Sequence, residues 1–126
     1  MAYAAWKQLN GSTKEAMDLR RYELATVAAA GELRSSYCSL AHGKVLYDRF
    51  GFKPGDPVSD EERAVQELAR KVTADATAVT QADIDELRAF GLSEDEVFDV
   101  VLAAAARCFF SKMLDGLGVA PDAEFR

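Results

Sequence analysis

Helix-start signals are the most regular pattern along this chain. A serine or threonine is followed three positions later by an acidic residue at four places: Ser12 with Glu15, Ser59 with Glu62, Thr80 with Asp83, and Ser93 with Glu96. Each pair can form a capping box, in which side chains bond the otherwise unpaired amides at the start of a helix. Segments with the alternating pattern of a β-strand are absent, so the sequence predicts an all-α fold.

Apolar periodicity between these signals predicts where the helices lie. We expect helices at about 13–32, 36–50, 60–74, 81–90 and 94–116, after a frayed turn at about 2–9. Gly31, Gly51 and Gly91 are candidate helix stops, whereas Gly43 is expected inside a helix. The turn-rich stretch 53–57 separates the second and third of these helices. Helix should account for at least roughly 60% of the chain, well above the average for globular proteins.

Length and charge limit the classes of protein to consider. With 126 residues, the chain is expected to form a single domain spanning 1–126, long enough to bury a core without disulfides or a metal. The formal net charge is −6 and no basic cluster is present, which argues against a nucleic-acid partner. The N-terminus lacks the pattern of a secretory signal, and no apolar run approaches the about 20 residues that span a bilayer. We therefore expect a cytoplasmic protein without a membrane partner.

The chemically informative pair is Cys38 and His42, the latter being the only histidine of the chain. Residues four apart on a helix are neighbours, with Cβ atoms about 5–6 Å apart, so the imidazole can take the thiol proton and generate the reactive thiolate. Ser35 and Ser36 are good N-cap residues, which would place Cys38 in the first helical turn, where the helix dipole also favours a thiolate. From spacing alone, a buried Cys packed beside a core His is an equally good interpretation.

The sequence around this pair resembles the alkylhydroperoxidase AhpD / carboxymuconolactone decarboxylase superfamily, in its peroxidase-related branch. Those proteins carry a Glu, eleven residues, and then Cys-x-x-Cys-x-x-x-His. Here Glu23 is followed, after eleven residues, by Ser35-Ser36-Tyr37-Cys38-Ser39-Leu40-Ala41-His42. Segments at 59–64, 79–83, 91–96 and 117–122 are similar as well. The resemblance implies an AhpD-like bundle of about five to six helices, assembled as a homo-oligomer, usually a trimer or a hexamer.

The resemblance also implies a chemistry, namely that of a thiol-dependent hydroperoxidase. Cys38 matches the cysteine that attacks the peroxide, and His42, supported by Glu23, matches the proton relay. Ser35 stands where the family has its first cysteine, so this chain lacks the neighbouring thiol that would form a disulfide. Regeneration would then need an external thiol, Cys108, or a cysteine of a neighbouring subunit. Neither a cofactor nor a resident metal is implied.

Several alternatives remain beside this interpretation. The chain can be a lyase like the carboxymuconolactone decarboxylases, although Arg34 and Lys44 are the only basic residues near the motif in sequence. It can also be a non-enzymatic, oligomeric helical protein. Cys108 fits a small core residue better than a resolving thiol, because free cysteines are usually buried. A metal site is the least favoured option, since structural zinc prefers four ligands and the chain has two Cys and one His.

Overall fold

The structure, a computed structural model, describes residues 2–118, apart from the side chains of residues 2, 3, 36 and 37. It contains six α-helices: α1 (Ala2–Ala16), α2 (Leu19–Leu33), α3 (Ser36–Phe50), α4 (Asp60–Asp75), α5 (Gln81–Ala89) and α6 (Glu94–Gly116). A 3₁₀ turn, Ala76–Ala78, follows α4. Helix makes up 81% of the structure, and residues 2–118 contain no strand, so the predicted all-α class is confirmed. Within the same residues, no helix combines the length and apolar content needed to cross a membrane.

Three of the four predicted helix starts are present. Ser59 and Ser93 form full capping boxes at the starts of α4 and α6. At the start of α5, the Asp83 carboxylate accepts a hydrogen bond from the Thr80 amide at 2.8 Å. These reciprocal bonds satisfy amides that a helix start leaves unpaired. The similar segment at 117–122 extends past residue 118, so most of it lies outside the described residues.

The prediction for the N-terminal region is wrong in two respects. The expected turn at 2–9 is the first half of a complete helix, α1, and Ser12 lies inside this helix instead of capping one. The expected helix at 13–32 is interrupted before α2, whose N-cap is Asp18, with its carboxylate accepting from the Arg21 amide. The reason is a distant contact: Trp6 stacks on Phe110 of α6 with ring centroids 4.8 Å apart. Tertiary packing of this kind stabilises a helix that its local sequence does not favour.

Helix α2 lies at the centre of the bundle and packs against α3, α4 and α6. Its buried face is made of small residues, among them Ala25, Ala28 and Ala29, which belong to the main hydrophobic cluster. Small side chains let neighbouring helices approach closely, and larger residues such as Leu68 of α4 and Val100 of α6 fill the space around them. The core therefore holds α3 and α6 on the same central helix.

A two-residue connection turns the chain from α2 into α3. Arg34 adopts a left-handed backbone conformation with φ of 57°, and its amide donates to the carbonyls of Ala30 and Gly31. The helix therefore ends at Leu33, and Gly31, a predicted stop, lies inside α2. At the other end of α3, Gly51 has φ of 65° and ends the helix as predicted. The tight connection makes α2 and α3 antiparallel neighbours, so side chains of the two helices meet.

Candidate functional site

Cys38 lies in the first turn of α3, where the sequence placed it. Ser35 is the N-cap, so Cys38 is the third helical residue. Its side chain is 1% exposed, yet its sulfur does not lie among apolar groups alone. The Ser111 hydroxyl is 2.9 Å from Sγ, and Nη1 of Arg107 is 3.8 Å from it. Both groups come from α6, so the sulfur is enclosed between a helix N-terminus and two polar side chains of another helix.

His42 and Glu23 meet across the α2–α3 interface. Nδ1 of His42 is 2.6 Å from Oε2 of Glu23, whose side chain is 1% exposed, while that of His42 is 18% exposed. An imidazole Nδ1–H donating to this carboxylate leaves Nε2 free to accept a proton. Burial lowers the pKa of His42 below its usual 6.5, against the opposing effect of the Glu23 hydrogen bond, with a further lowering from the Arg107 charge. The imidazole is therefore neutral at neutral pH and able to act as a base.

Arg107 is a buried cation in the same region, with 3% exposure. Its Nη2 donates to Asn10 Oδ1 and to the Tyr22 hydroxyl oxygen, each at 3.2 Å. The guanidinium carbon lies 5.6 Å and 5.5 Å from the ring centroids of Trp6 and Phe110. Its hydrogen bonds within residues 2–118 thus go to Asn10, Tyr22 and Cys38, and none goes to a carboxylate.

Tyr22 connects the two parts of the site. Its hydroxyl donates to Asn10 at 2.7 Å and accepts from Arg107, while its ring meets the His42 ring edge-on at a centroid distance of 6.3 Å. Burial raises the pKa of Tyr22 above its usual 10.0, so the phenol stays protonated at neutral pH. Cys38 and His42 are not hydrogen-bonded to each other in the described part of the chain. Without such a bond, a bridging molecule, water or the substrate, can carry a proton between them.

Ser35 is fully buried, and its side chain does not cap α3. Its hydroxyl has no hydrogen-bond partner among the described side chains, so it does not bind the Cys38 sulfur, and the hydroxyl that does so belongs to Ser111. Within the same set of residues, Oε1 of Glu23 and Nε of Arg107 are also buried without a partner. Buried polar atoms are rarely left unpaired in folded proteins, so these atoms are exceptions, and they cluster around the Cys38–His42 region.

Sequence reasoning missed Arg107 and Ser111. The basic residues expected near the site do not take part in it: Arg34 is exposed at the end of α2, and Lys44 pairs with Asp48 on the surface. One signal was available, because Arg107 and Ser111 continue, at helical spacing, the face of α6 on which Val100 and Ala104 are buried. A charged residue on a buried face is exceptional and marks a possible site.

The structure also bears on the position of the second cysteine and on the metal-site alternative. Cys108 is half-buried with a free thiol, and it follows Arg107 directly, so it is rotated roughly 100° around α6 from the face that meets Cys38. Among residues 2–118, no group of three or more His, Cys, Asp or Glu side chains is arranged to hold a metal ion.

The arrangement of helices matches solved structures over almost the whole chain. An uncharacterized peroxidase-related protein from Ralstonia eutropha JMP134, described as an alkylhydroperoxidase AhpD core, aligns with a TM-score of 0.89 and 22% identity, over 98% of this chain and 72% of its own. The chain has the AhpD-like fold. An uncharacterized peroxidase-related protein from Silicibacter sp. TM1040 gives a TM-score of 0.88 with 18% identity, over 98% of this chain and 73% of its own.

A protein of unknown function from Agrobacterium tumefaciens has the same fold, with a TM-score of 0.85 and 21% identity over 97% of this chain and 91% of its own. No protein-family model and no curated protein matches the sequence. Identities this low relate the AhpD-like proteins to this chain by fold, and a shared fold does not determine activity. The function therefore has to be argued from the site itself.

Proposed function

We propose that this protein is a thiol-dependent hydroperoxidase in which Cys38 is the nucleophile and His42, held by Glu23, is the proton relay. The observation that carries the proposal is the His42–Glu23 bond of 2.6 Å, one helical turn from a cysteine at a helix N-terminus. A base oriented by a buried carboxylate beside a nucleophile is the arrangement that activates thiols and hydroxyls in many enzymes. A Cys and a His that merely packed together would not require a buried carboxylate.

The proposed reaction begins with the Cys38 thiol and a hydroperoxide, ROOH. The thiol proton passes to Nε2 of His42 through the bridging molecule, and Glu23 stabilises the imidazolium. The thiolate then attacks the terminal oxygen, so an S–O bond forms as the O–O bond breaks, giving a sulfenic acid on Cys38. The departing alkoxide takes the proton from His42 and leaves as the alcohol ROH. Because Cys38 is only 1% exposed, the substrates that we propose are hydrogen peroxide and small organic hydroperoxides, which need the least room to reach the sulfur.

Regeneration must use a thiol other than residue 35, which is a serine. One equivalent of a low-molecular-weight thiol converts the sulfenic acid to a mixed disulfide and releases water. A second equivalent attacks the mixed disulfide, restores the Cys38 thiol, and leaves as the oxidised disulfide. Cys108 is less suited to this role, because it lies on a different face of α6 from the one that contacts Cys38.

Steady-state peroxide consumption with an excess of a small thiol tests the proposal. The wild type should turn over, Cys38→Ser should be inactive, and His42→Asn should be at least about a hundredfold slower, the usual contribution of general acid–base catalysis. Cys108→Ser is the matched control, because it removes the other thiol and should keep the wild-type rate. Equal rates for the wild type and Cys38→Ser would show that Cys38 is not the nucleophile, and would favour the lyase or the non-enzymatic alternative.

A further inference from the structure

The site contains two buried charges at opposite ends. Arg107 lies beside the Cys38 sulfur, and Glu23 lies beside the His42 ring, each with no more than 3% exposure. Burying an ion is costly unless an opposite charge or several hydrogen bonds compensate for it. Glu23 has the His42 Nδ1–H as its partner, whereas the hydrogen-bond partners of Arg107 among the described residues are all neutral when Cys38 is a thiol.

We propose that Arg107 is the countercharge of the Cys38 thiolate and that Ser111 donates the hydrogen bond that completes its stabilisation. The inference rests on the proposed function, in which Cys38 must become anionic, and it adds two catalytic residues that contact the reacting sulfur. Among the described residues, the sulfur is the one atom in contact with the guanidinium that the proposed reaction makes anionic, since Tyr22 stays neutral. Hydrogen bonds to an ionised partner are about twice as strong as neutral ones, so both donors favour the thiolate.

The placement of the two charges gives each product of the proton transfer an opposite charge beside it, and Glu23 opposes the effect of the Arg107 charge, which lowers the pKa of His42. Moving the proton from Cys38 to His42 creates a thiolate beside Arg107 and an imidazolium beside Glu23, so each new charge forms next to its opposite. The net charge of the four groups does not change, which avoids the large cost of creating a single buried ion. The titratable side chains around the sulfur and the imidazole, from α1, α2, α3 and α6, are Lys14, Tyr22, Glu23, His42 and Arg107.

During the attack, negative charge leaves the sulfur as the S–O bond forms and collects on the departing oxygen as the O–O bond breaks. The guanidinium next to the sulfur remains close to this charge until His42 delivers the proton. Cys38 then carries a neutral sulfenic acid, and both His42 and the product alcohol are neutral. No oxidant other than the hydroperoxide is consumed.

The experiment uses the full-length chain carrying Cys108→Ser, so that Cys38 is the only thiol. Arg107→Met removes the charge while keeping the length of the side chain, Arg107→Lys keeps the charge, and Ser111→Ala removes the hydroxyl donor. Arg20→Met is the control for removing an arginine that covers two aromatic rings, here Phe50 and Phe52, because Arg20 pairs with Glu62 and with no site residue in the described part of the chain. Two quantities are measured from about pH 6 to pH 9: the ultraviolet absorbance of the thiolate and the second-order rate with hydrogen peroxide.

At about pH 7, Arg107→Met should lower both the thiolate fraction and the rate by at least about tenfold, the equivalent of one charge-assisted hydrogen bond. The differences in thiolate fraction and in rate between Arg107→Met and the wild type should become several-fold smaller toward pH 9, because hydroxide then generates the thiolate without the cation. Arg107→Lys should be intermediate, Ser111→Ala should lose about threefold to tenfold, and Arg20→Met should match the wild type. A purely structural role of Arg107 would give a deficit that does not depend on pH.

The proposal is overturned if Arg107→Met keeps the wild-type thiolate fraction at neutral pH, or if its rate deficit persists unchanged at high pH in a protein shown to be folded by circular dichroism. If Arg107→Met does not fold, Ser111→Ala tests the proposal instead. An unchanged thiolate fraction in Ser111→Ala then overturns the proposal. The absorbance separates this inference from the proposed function. A wild type that holds a thiolate dependent on Arg107 but consumes no peroxide would support the charge pairing and refute the hydroperoxidase.

Discussion

In the resemblance proposed from the sequence, Ser35 stands where the dithiol motif has its first cysteine. Its hydroxyl is buried and has no hydrogen-bond partner in the described part of the chain, so replacing the oxygen by sulfur removes no hydrogen bond seen there. Because Ser35 is the N-cap and Cys38 the third residue of α3, the two side chains are one turn apart. We expect Ser35→Cys to form a 35–38 disulfide after one equivalent of peroxide and to increase turnover with a dithiol reductant.

Mass spectrometry of the peptide that contains both residues, with and without reduction, detects this disulfide. Ser39→Cys is a suitable control, since it also adds a thiol next to Cys38 but at a position outside the motif. Equal turnover in Ser35→Cys and Ser39→Cys would contradict the expectation that position 35 is the one suited to resolve Cys38.

His42 should make stability depend on pH in a defined direction. Burial holds its pKa in the folded state below 6.5, the value of an exposed histidine, so the unfolded chain binds the proton more readily. Stability from the neutral imidazole is therefore fully present above about pH 6.5 and is lost as the pH falls through the folded-state pKa. The melting temperature of the wild type should fall more between about pH 7.5 and pH 5 than that of His42→Gln, whose amide does not titrate. Parallel falls in the two proteins would contradict this.

The sequence predicts only those site residues that local spacing or the family resemblance identifies. Cys38 and His42 share a helix, and Glu23 was placed by the motif. Arg107 is 69 residues away from Cys38, so their contact depends on how α6 packs onto α2 and α3, which no local pattern encodes. The same holds for Ser111: helical spacing places it on the buried face of α6, but its contact with the sulfur depends on how that helix packs.

Helix bounds were predicted most accurately where the local sequence signals are strongest. The bounds of α3 and α6 agree with the prediction to the residue. Ser93 caps the start of α6 with its hydroxyl, and α3 ends at a glycine in a left-handed conformation, although Ser35 occupies the N-cap position of α3 without a side-chain bond. The break between α1 and α2 was missed, since Asp18 caps α2 without the serine-to-acid pattern on which the prediction relied. Helix α1 itself depends on Trp6 packing against α6, which is a tertiary effect.

The left-handed backbone conformation in the α2–α3 connection can be tested by substitution. Arg34 is the one described residue other than glycine with a positive φ, at 57°, a conformation that costs an L-residue roughly 1 kcal/mol more than glycine. Its side chain is exposed, so Arg34→Gly should lose little packing and should raise the free energy of unfolding by roughly 0.5–1 kcal/mol. Urea denaturation measures this value, with Arg34→Ala as the control that keeps the strain. A destabilised Arg34→Gly would contradict the geometry of this connection.

At the scale of the whole molecule, we propose that the chain assembles into a homo-oligomer, a trimer or a hexamer. An apolar groove of about 440 Å³ lies between α1 and α6, next to the exposed side chains of Leu9 and Phe109. Exposed apolar surface of this kind is typical of interfaces between subunits. Sedimentation velocity at micromolar concentration should show a single species of three or six chains, whereas a monomer would contradict the proposal. Phe109→Asp should weaken the assembly if the groove lies in the interface.

Mass spectrometry of the wild-type protein after one equivalent of hydrogen peroxide tests the central claim most directly. With a trapping reagent for sulfenic acids, Cys38 should carry the adduct while Cys108 stays unmodified. With an added thiol, Cys38 should instead carry the mixed disulfide, and excess peroxide without a thiol should drive it to the sulfinic acid, since no neighbouring thiol intercepts the sulfenic acid. An unmodified Cys38 in a sample that has consumed the peroxide, or oxidation of Cys108 before Cys38, would contradict the assignment of Cys38 as the nucleophile.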